Sequence, residues 1–213
     1  MSCVCGSDIR GDAYPRLSFV IDESHISHFF LLLQRGVMVS ARAGSSIRSF
    51  LQEEIGLSSQ SVERIQSVFL DGRPVDDLDS AIIKDGSCLA LSAAVPGLVG
   101  ATLRRGGVYS SFRSTITYRE TGSQGGSGKG YIRVKLFNLL MKDLGSAFLR
   151  RGVVVSFSEL RDFLEGRSSD FWQGCKEIFF EGKPAGSNSF GDITWLAHHE
   201  RVVLSVDVLR GDR

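Results

Sequence analysis

Four residues near the N-terminus have side chains that can bind a transition metal. Cys3 and Cys5 are separated by one residue, and His25 and His28 are three residues apart. Thiolates and imidazoles are ligands that zinc accepts. Their spacing fits no standard zinc motif, however, and two histidines three residues apart on a helix more often belong to one polar face. We therefore expect no metal site.

A glycine-rich stretch at 122–130 has the composition of a phosphate-binding loop. Gly130 follows Lys129 at the position where such a loop has the Ser or Thr that binds magnesium, and Ser123 stands where the first glycine is needed. The residues after it predict a strand, so no helix N-terminus is present to hold a phosphate. The stretch is interpreted as a flexible interdomain linker.

The sequence offers no set of nucleophile, base and acid. The four histidines occur as two local pairs, the acidic residues are scattered, and no Gly-x-Ser-x-Gly motif is present. Cys88 and Cys175 lie in or beside predicted strands, which is typical of small buried hydrophobic residues. We expect a protein that is not an enzyme, with no catalytic residues and no cofactor.

Composition narrows the class of protein further. The 213 residues are 42% hydrophobic, and 25 basic residues nearly balance 24 acidic ones, which gives a net charge of +1. A globular chain with so little net charge has no broad field to attract nucleic acid or a membrane surface, so we expect neither as a partner. No apolar run reaches the roughly 20 residues of a transmembrane helix, and no signal peptide is recognisable. We expect a cytoplasmic protein whose cysteines are thiols.

The chain contains an internal repeat. The strand-plus-turn phrase 68–75 recurs in similar form at 178–185, and 33–40 recurs as 149–156. The matches follow the same order in both units. The sequence therefore predicts four parts, namely an N-terminal tail at 1–15, a first domain at 16–97, a hairpin and Gly/Ser-rich linker at 98–130, and a second domain at 131–213.

Each unit has the pattern of strand, helix, strand, helix and a final pair of strands. Gly36 and Gly152 follow the first helix of each unit, where a left-handed cap favours glycine. Ser156 and Glu159 have the spacing of a capping box at the start of the next helix. The core-facing apolar residues of the two main helices follow i, i+3, i+4 spacing. They include Phe50, Leu51, Phe163 and Leu164.

A turn containing Gly72 or Gly182 joins the strands near the end of each unit, because glycine supplies the positive φ that such a turn needs. A sheet crossed by one main helix, with a glycine-turn hairpin arm, is a β-grasp arrangement. The sequence predicts an α+β fold with two tandem β-grasp domains, each a mixed sheet packed on one main helix.

Three segments also resemble a known family. Residues 131–145 resemble the opening strand and short helix of the ubiquitin-like sulfur carriers, which include the small subunit of molybdopterin synthase and the thiamine-pathway carrier. Residues 68–79 and 83–91 resemble the final third of those proteins. The resemblance implies a β-grasp fold and a link to sulfur or molybdenum/tungsten cofactor metabolism.

The carriers of that family act through a free C-terminal Gly-Gly, which this chain does not present. The first unit runs on through 95–97, and Asp212 and Arg213 follow the last strand of the second. The resemblance therefore implies that neither repeat is a carrier as written. Residues 103–107 are similar to the ubiquitin tail, so cleavage after Gly107 would create one. Gly106 and Gly107 equally fit a hairpin turn between predicted strands at 98–103 and 108–118, which is the interpretation we favour.

One segment outside the repeat is rich in residues typical of interfaces. Residues 98–119 contain four arginines and three aromatic residues and no acidic residue. Arginine and aromatic side chains are enriched in interface hot spots. The segment could instead be a hairpin whose aromatic residues cover one sheet. The residues predicted to bind a partner are Arg104, Arg105, Tyr109 and Arg113, and the opposing face is an acidic protein surface or the second domain.

Two functions remain at this point. The favoured one is a non-catalytic ubiquitin-like module that binds a protein partner, with a link to sulfur or molybdenum/tungsten cofactor metabolism if the family resemblance extends to the pathway. The alternative is a sulfur-carrier or conjugating protein that is activated at Gly107 after proteolytic processing.

Overall fold

The computed structural model describes residues 14–93, 95–120, 128–185 and 193–209. These residues form an α+β fold with one mixed sheet of ten strands and seven α-helices. Cys3, Cys5, Asp212, Arg213 and most of the predicted linker lie outside the described residues. The strands are β1 (Arg16–Asp22), β2 (Val37–Ala43), β3 (Ser67–Leu70), β4 (Arg73–Pro74), β5 (Cys88–Ser92), β6 (Gly128–Phe137), β7 (Val153–Ser156), β8 (Cys175–Phe180), β9 (Lys183–Pro184) and β10 (Arg201–Leu209).

The helices connect these strands in the order that the repeat predicts. They are α1 (Phe30–Arg35), α2 (Ile47–Ser49), α3 (Ser59–Glu63), α4 (Gly97–Leu103), α5 (Leu140–Arg151), α6 (Phe157–Leu164) and α7 (Ser169–Gly174). A 3₁₀-helix (Glu23–Phe29) precedes α1, and a π-helical stretch (Phe50–Glu54) continues α2.

Several local predictions are confirmed in atomic detail. Gly36 and Gly152 end α1 and α5 with φ angles of 105° and 103°. Ser156 and Glu159 form the predicted capping box at the start of α6. The strand β6 begins at Gly128, earlier than the predicted domain start at 131, because 128–130 pair with the end of β2.

The sheet joins both repeats in the order β4-β3-β5-β6-β2-β7-β10-β1-β8-β9. Two separate sheets were expected, one in each unit. Instead, β1 lies between β10 and β8 of the second unit, and β6 lies between β5 and β2 of the first. The first strand of each repeat therefore pairs with the strands of the other repeat.

The connection after each first strand explains why this exchange is possible. β1 and β2 run parallel, because β1 is parallel to β10, β10 is antiparallel to β7, and β7 is antiparallel to β2. β6 and β7 also run parallel, because both are antiparallel to β2. A parallel pair needs a long crossover, usually with a helix, and its two strands need not be neighbours. The helices α1 and α5 supply these crossovers, so each one can carry the chain from one half of the sheet to the other.

One face of the sheet is buried under helices. Alternate residues of the central strands, such as Phe19, Val39, Val134 and Leu204, have 0% exposure. The buried hydrophobic residues form a single cluster that draws on both repeats. The largest fully buried side chains are Phe19, Phe29, Phe50, Phe148, Phe163 and Phe171. We call the opposite side, which carries Arg16, Ser40, Arg42, Arg133 and Val203, the open face, since these alternating residues are half-buried or exposed.

The buried phenylalanines of the two main helices give a stability prediction. We expect Phe50→Ala and Phe163→Ala each to lower the free energy of unfolding by about 3–5 kcal/mol, because truncation leaves a cavity in a close-packed core. Phe112→Ala is the matched control, since this ring is 79% exposed, and its cost should be about 0.5 kcal/mol or less. Chemical denaturation measures all three, and equal costs at the three positions would contradict the assignment of the core.

Candidate interaction surface

The arginine-rich residues 98–119, hereafter the interaction segment, contain two short helices instead of a hairpin. The helix α4 (Gly97–Leu103) is followed by a turn and a 3₁₀-helix (Ser110–Arg113), so the predicted strands at 98–103 and 108–118 are wrong. Leu98, Val99, Thr102 and Leu103 have a spacing that puts them on one side of a helix. A helix also satisfies its own backbone groups, whereas a hairpin on the outside of a sheet leaves an unpaired edge.

Arg113 connects the interaction segment to the body of the protein. Its guanidinium donates two hydrogen bonds to the Asp76 carboxylate at 2.6 and 3.1 Å. Further donors reach the carbonyl oxygens of Thr102 at 2.6 Å and Arg104 at 3.3 Å, and the Thr117 hydroxyl at 2.9 Å. The side chain is only 4% exposed. Its predicted role in partner binding is therefore corrected, because this arginine is used inside the chain.

Arg105 and its neighbours attach the segment beside the edge strand β4. Arg105 contacts the Glu63 carboxylate at 3.2 Å with a side chain that is 12% exposed, and its backbone N–H donates to the Gln66 carbonyl oxygen at 2.7 Å. The N–H of Tyr118 donates to the Pro74 carbonyl oxygen at 2.8 Å. Arg105 thus serves mainly to hold the segment, and only its outer edge is accessible.

The predicted processing site lies in the turn after α4. Gly106 has a φ of 61° and donates its N–H to the Asp76 carboxylate at 3.1 Å. The N–H of Gly107 donates to the Arg104 carbonyl oxygen at 3.1 Å. Both glycines therefore belong to a hydrogen-bonded turn, although not to the hairpin turn that the sequence predicts.

Exposed apolar side chains are concentrated on the interaction segment. The described residues contain nine large hydrophobic side chains that are exposed, and six of them lie between 98 and 116. They are Leu98, Val99, Val108, Tyr109, Phe112 and Ile116. Tyr109 and Phe112 stack with ring centroids 6.1 Å apart. Large exposed apolar patches are uncommon on the surface of soluble proteins and are typical of interaction sites.

Sequence reasoning found Arg104 and Tyr109 but missed most of this patch. Both predicted residues are exposed, Tyr109 by 46%. Leu98, Val108 and Phe112 are exposed by 75, 91 and 79%. The sequence could not reveal this, since the same apolar residues would be buried if the segment covered a sheet.

A shallow apolar cleft adjoins α4 on the open face of the sheet. It has a volume of about 300 Å³, and its walls include Phe69, Ala90, Val95 and Phe137. Val95 touches the helix so closely that a Cβ atom on Gly100 would lie 1.6 Å from its carbonyl oxygen. The cleft therefore lies beside α4, although its described lining residues include none of the exposed apolar residues of the segment.

Tyr118 and Glu120 fasten the end of the segment. The Tyr118 hydroxyl donates to the Glu120 carboxylate, which also contacts Lys84 Nζ at 3.2 Å. Burial, together with the hydrogen bond and the charge of Glu120, raises the pKa of Tyr118 to about 12. The hydrogen bond from Tyr118, with a smaller contribution from Lys84, lowers the pKa of Glu120.

The other chemically capable residues do not assemble into a reactive centre within the described residues. His25 stacks on His28 and contacts Asp170 at 3.5 Å, and no group of three metal-binding side chains occurs in the described ranges. Burial raises the pKa of the Cys175 thiol to about 11, which leaves little nucleophilic thiolate at neutral pH. Cys88 is half-buried.

Comparison with protein-family models, curated proteins and solved structures finds no match. Among the helices of the described residues, none is both long enough and apolar enough to cross a bilayer. The resemblance to sulfur carriers stays a prediction from short motifs.

The Arg113 contacts predict how the interaction segment opens. Arg113→Met leaves the Asp76 carboxylate without its charged partner, which should cost about 2–3 kcal/mol. Because the segment can open locally, amide hydrogen exchange at 105–117 should become roughly 30- to 150-fold faster. Arg119→Met, at an exposed arginine for which the described residues show no ion pair, is the control. Equal exchange in both variants would contradict the role of Arg113.

The raised pKa of Tyr118 predicts a loss of stability at alkaline pH. The unfolded tyrosine loses its proton near pH 10, whereas the folded one keeps it to about pH 12. Because the unfolded state then binds fewer protons, the free energy of unfolding falls as pH rises between these values. Denaturant titrations from pH 9 to 12 should show a steeper fall in the wild type than in Tyr118→Phe. Identical slopes would contradict the assignment.

Proposed function

We propose that this chain is a non-catalytic, ubiquitin-like protein-interaction module with two β-grasp units that exchange strands. Each half of the sheet, β2-β6-β5-β3-β4 and β7-β10-β1-β8-β9, has the same succession of antiparallel and parallel ladders. The exchanged first strand and the final strand trade places between the halves, because β6 lies beside β2 whereas β10 lies beside β7. Each half also carries a glycine-turn hairpin arm, at Gly72 and at Gly182. The matching hairpin arms and ladders support a duplicated β-grasp unit, in which the two copies differ in the order of their central strands.

The observation that carries the proposal is the apolar patch of the interaction segment. A flexible loop with exposed Leu98 and Phe112 would bind weakly, since ordering it on binding costs conformational entropy. Here Arg113 and Arg105 hold the loop through Asp76 and Glu63. The exposed apolar groups are therefore already arranged for docking before a partner arrives.

Charge identifies the chemistry of the partner. Arg73, Arg104 and Arg119 are exposed around the patch, and none of them has an ion pair within the described part of the chain. The interaction segment itself has no acidic residue. The complementary surface is an apolar element of another protein, flanked by Asp or Glu side chains.

The processed carrier is the less favoured function, because cleavage would remove a central strand from the sheet. Cleavage after Gly107 would separate the chain between β5 and β6, yet β6 lies between β5 and β2 in the centre of the first half-sheet. Residues 1–107 alone would lack that strand. A link to sulfur or molybdenum/tungsten cofactor metabolism is part of the proposal and depends on the resemblance of the three short segments.

A capture experiment with matched variants tests the interaction surface. The full-length chain carrying a photoreactive residue in place of Val108 is cross-linked in host lysate, and the attached segment is sequenced. We expect a segment with apolar residues flanked by acidic ones. Phe112→Asp should lower the yield at least roughly tenfold, since a charge replaces a central apolar contact. Leu139→Asp, at a residue that is 64% exposed outside the segment, should not change it.

A double charge reversal tests the role of the exposed arginines in partner binding. Arg104→Glu/Arg119→Glu should weaken capture and reduce its dependence on salt, because rim charges act over about 8–10 Å at moderate ionic strength. The proposal is wrong if cross-links go to a second copy of this chain or to a basic segment, or if Phe112→Asp and Leu139→Asp behave alike. A chain that ends at Gly107 in the native host, detected by intact mass, would support the processed carrier instead.

A further inference from the structure

Three side chains form a line along β6 on the open face of the sheet. Phe137, Lys135 and Arg133 are alternate residues of this strand and are half-buried, whereas the residues between them are buried in the core. Residues two apart in a strand point to the same face and are separated by about 6.5 Å. These three side chains, hereafter the β6 row, therefore place one aromatic ring and two cationic groups at even spacing.

An apolar cleft lies at the Phe137 end of the β6 row. This is the cleft beside α4, with a volume of about 300 Å³, and Phe69 and Ala90 line it together with Phe137. Such a volume is at the small end of ligand sites, so the cleft suits one large apolar side chain. Ala94, the undescribed residue next to this lining in the sequence, carries no charge.

Lys135 lies beside the cleft without a counter-charge. Its neighbour on β5 is Ala90, and on the other side a Cβ atom on Gly36 would lie 2.9 Å from Lys135 Cγ. Small residues therefore flank the lysine stem. Lys135 makes no hydrogen bond or ion pair with any residue of the described ranges. Its ammonium group is thus available to an external carboxylate.

Arg133 ends the β6 row with a guanidinium that is weakly held. Its Nη1 atom donates to the Gly36 carbonyl oxygen at 3.4 Å, which is long for such a hydrogen bond. A guanidinium has about five N–H donors in a planar fork that matches a carboxylate. The contact with Gly36 therefore leaves donors of Arg133 for a second anionic group.

We propose that the β6 row binds an extended peptide in which one large apolar residue is followed by Asp or Glu at the second and fourth positions. An extended peptide repeats its side chains on one face with the spacing of a strand. Its apolar side chain then enters the cleft while its two carboxylates reach Lys135 and Arg133, where charge-assisted hydrogen bonds form.

The length of the β6 row favours a peptide over a small molecule. Phe137 and Arg133 are four residues apart, which corresponds to about 13 Å along a strand, and a ligand that fills the cleft alone would not reach Arg133. The surface goes beyond the proposed function, since no residue of the β6 row belongs to the interaction segment.

Fluorescence anisotropy with the full-length protein and labelled peptides tests this surface. The probes are Phe-Ser-Glu-Ser-Glu and its reversed sequence, since either chain direction gives the same spacing. The control peptide, Phe-Glu-Ser-Glu-Ser, has the same composition, but its carboxylates point away from the face that carries the aromatic ring. We expect one of the probes to bind at least roughly tenfold more tightly than the control, because only a probe makes the charged hydrogen bonds.

Substitutions in the protein locate the binding site. Lys135→Gln and Arg133→Gln should each weaken probe binding roughly tenfold or more, because each removes a charged hydrogen-bond donor. Ala90→Gln should also weaken it, since a larger side chain fills the cleft. Lys183→Gln, at an exposed residue of β9, is the matched control and should leave the affinity unchanged. Thermal unfolding measures whether each variant keeps its fold.

The proposal is overturned if neither probe binds, if the control peptide binds as tightly as the probes, or if Lys135→Gln and Lys183→Gln behave alike. Competition by single-stranded oligothymidylate that equals competition by unlabelled probe would also overturn it, because the β6 row would then bind nucleic acid.

One further variant separates this proposal from the interaction segment. Phe112→Asp should leave the affinity for the probe unchanged, because Phe112 lies outside the β6 row and its cleft. A loss of probe binding in Phe112→Asp would place the peptide on the interaction segment and overturn the assignment to the β6 row. The two surfaces can therefore fail independently.

Discussion

The pairing of β6 with β2 and β5 is the constraint on which the rest of the structure depends. Seven residue pairs join β6 to β2, and a parallel ladder joins it to β5. In the other half β1 is also exchanged but takes a different place, between β10 and β8 and not beside β7. Because buried backbone groups must find hydrogen-bond partners, neither half of the sheet is complete without a strand from the other. The repeats therefore form one structural unit in which the core is continuous.

The position of the interaction segment follows from this shared sheet. The interaction segment carries the chain from β5 of one unit towards β6, which lies beside it in the sheet, so it can remain at the outside as a compact helical excursion. Two arginines fasten it there, and its apolar groups point away from the core because the core is already filled by the helices of the repeats.

Two arginines of the interaction segment have different roles, although they are the same type of residue. Arg104 and Arg113 are nine residues apart in the same segment, yet one is exposed and the other makes hydrogen bonds to four different residues while buried. Composition identified the segment as unusual because charge and aromatic content are properties of the sequence. Which arginine faces a partner depends on the position of Asp76, and Asp76 lies in a different part of the chain.

The sequence by itself determined the local elements and the repeat. Gly36, Gly152 and the Ser156 capping box act within one turn of chain, and the apolar spacing of Phe50 and Phe163 specifies the buried side of a helix wherever that helix lies. The tertiary structure decided which strands pair, since a β-strand exposes the same backbone groups to any partner and α1 and α5 are long enough to reach either half. It also decided that 97–103 and 110–113 are helical and that Arg113 meets Asp76. These outcomes depend on contacts between distant residues, and local patterns carry no information about them.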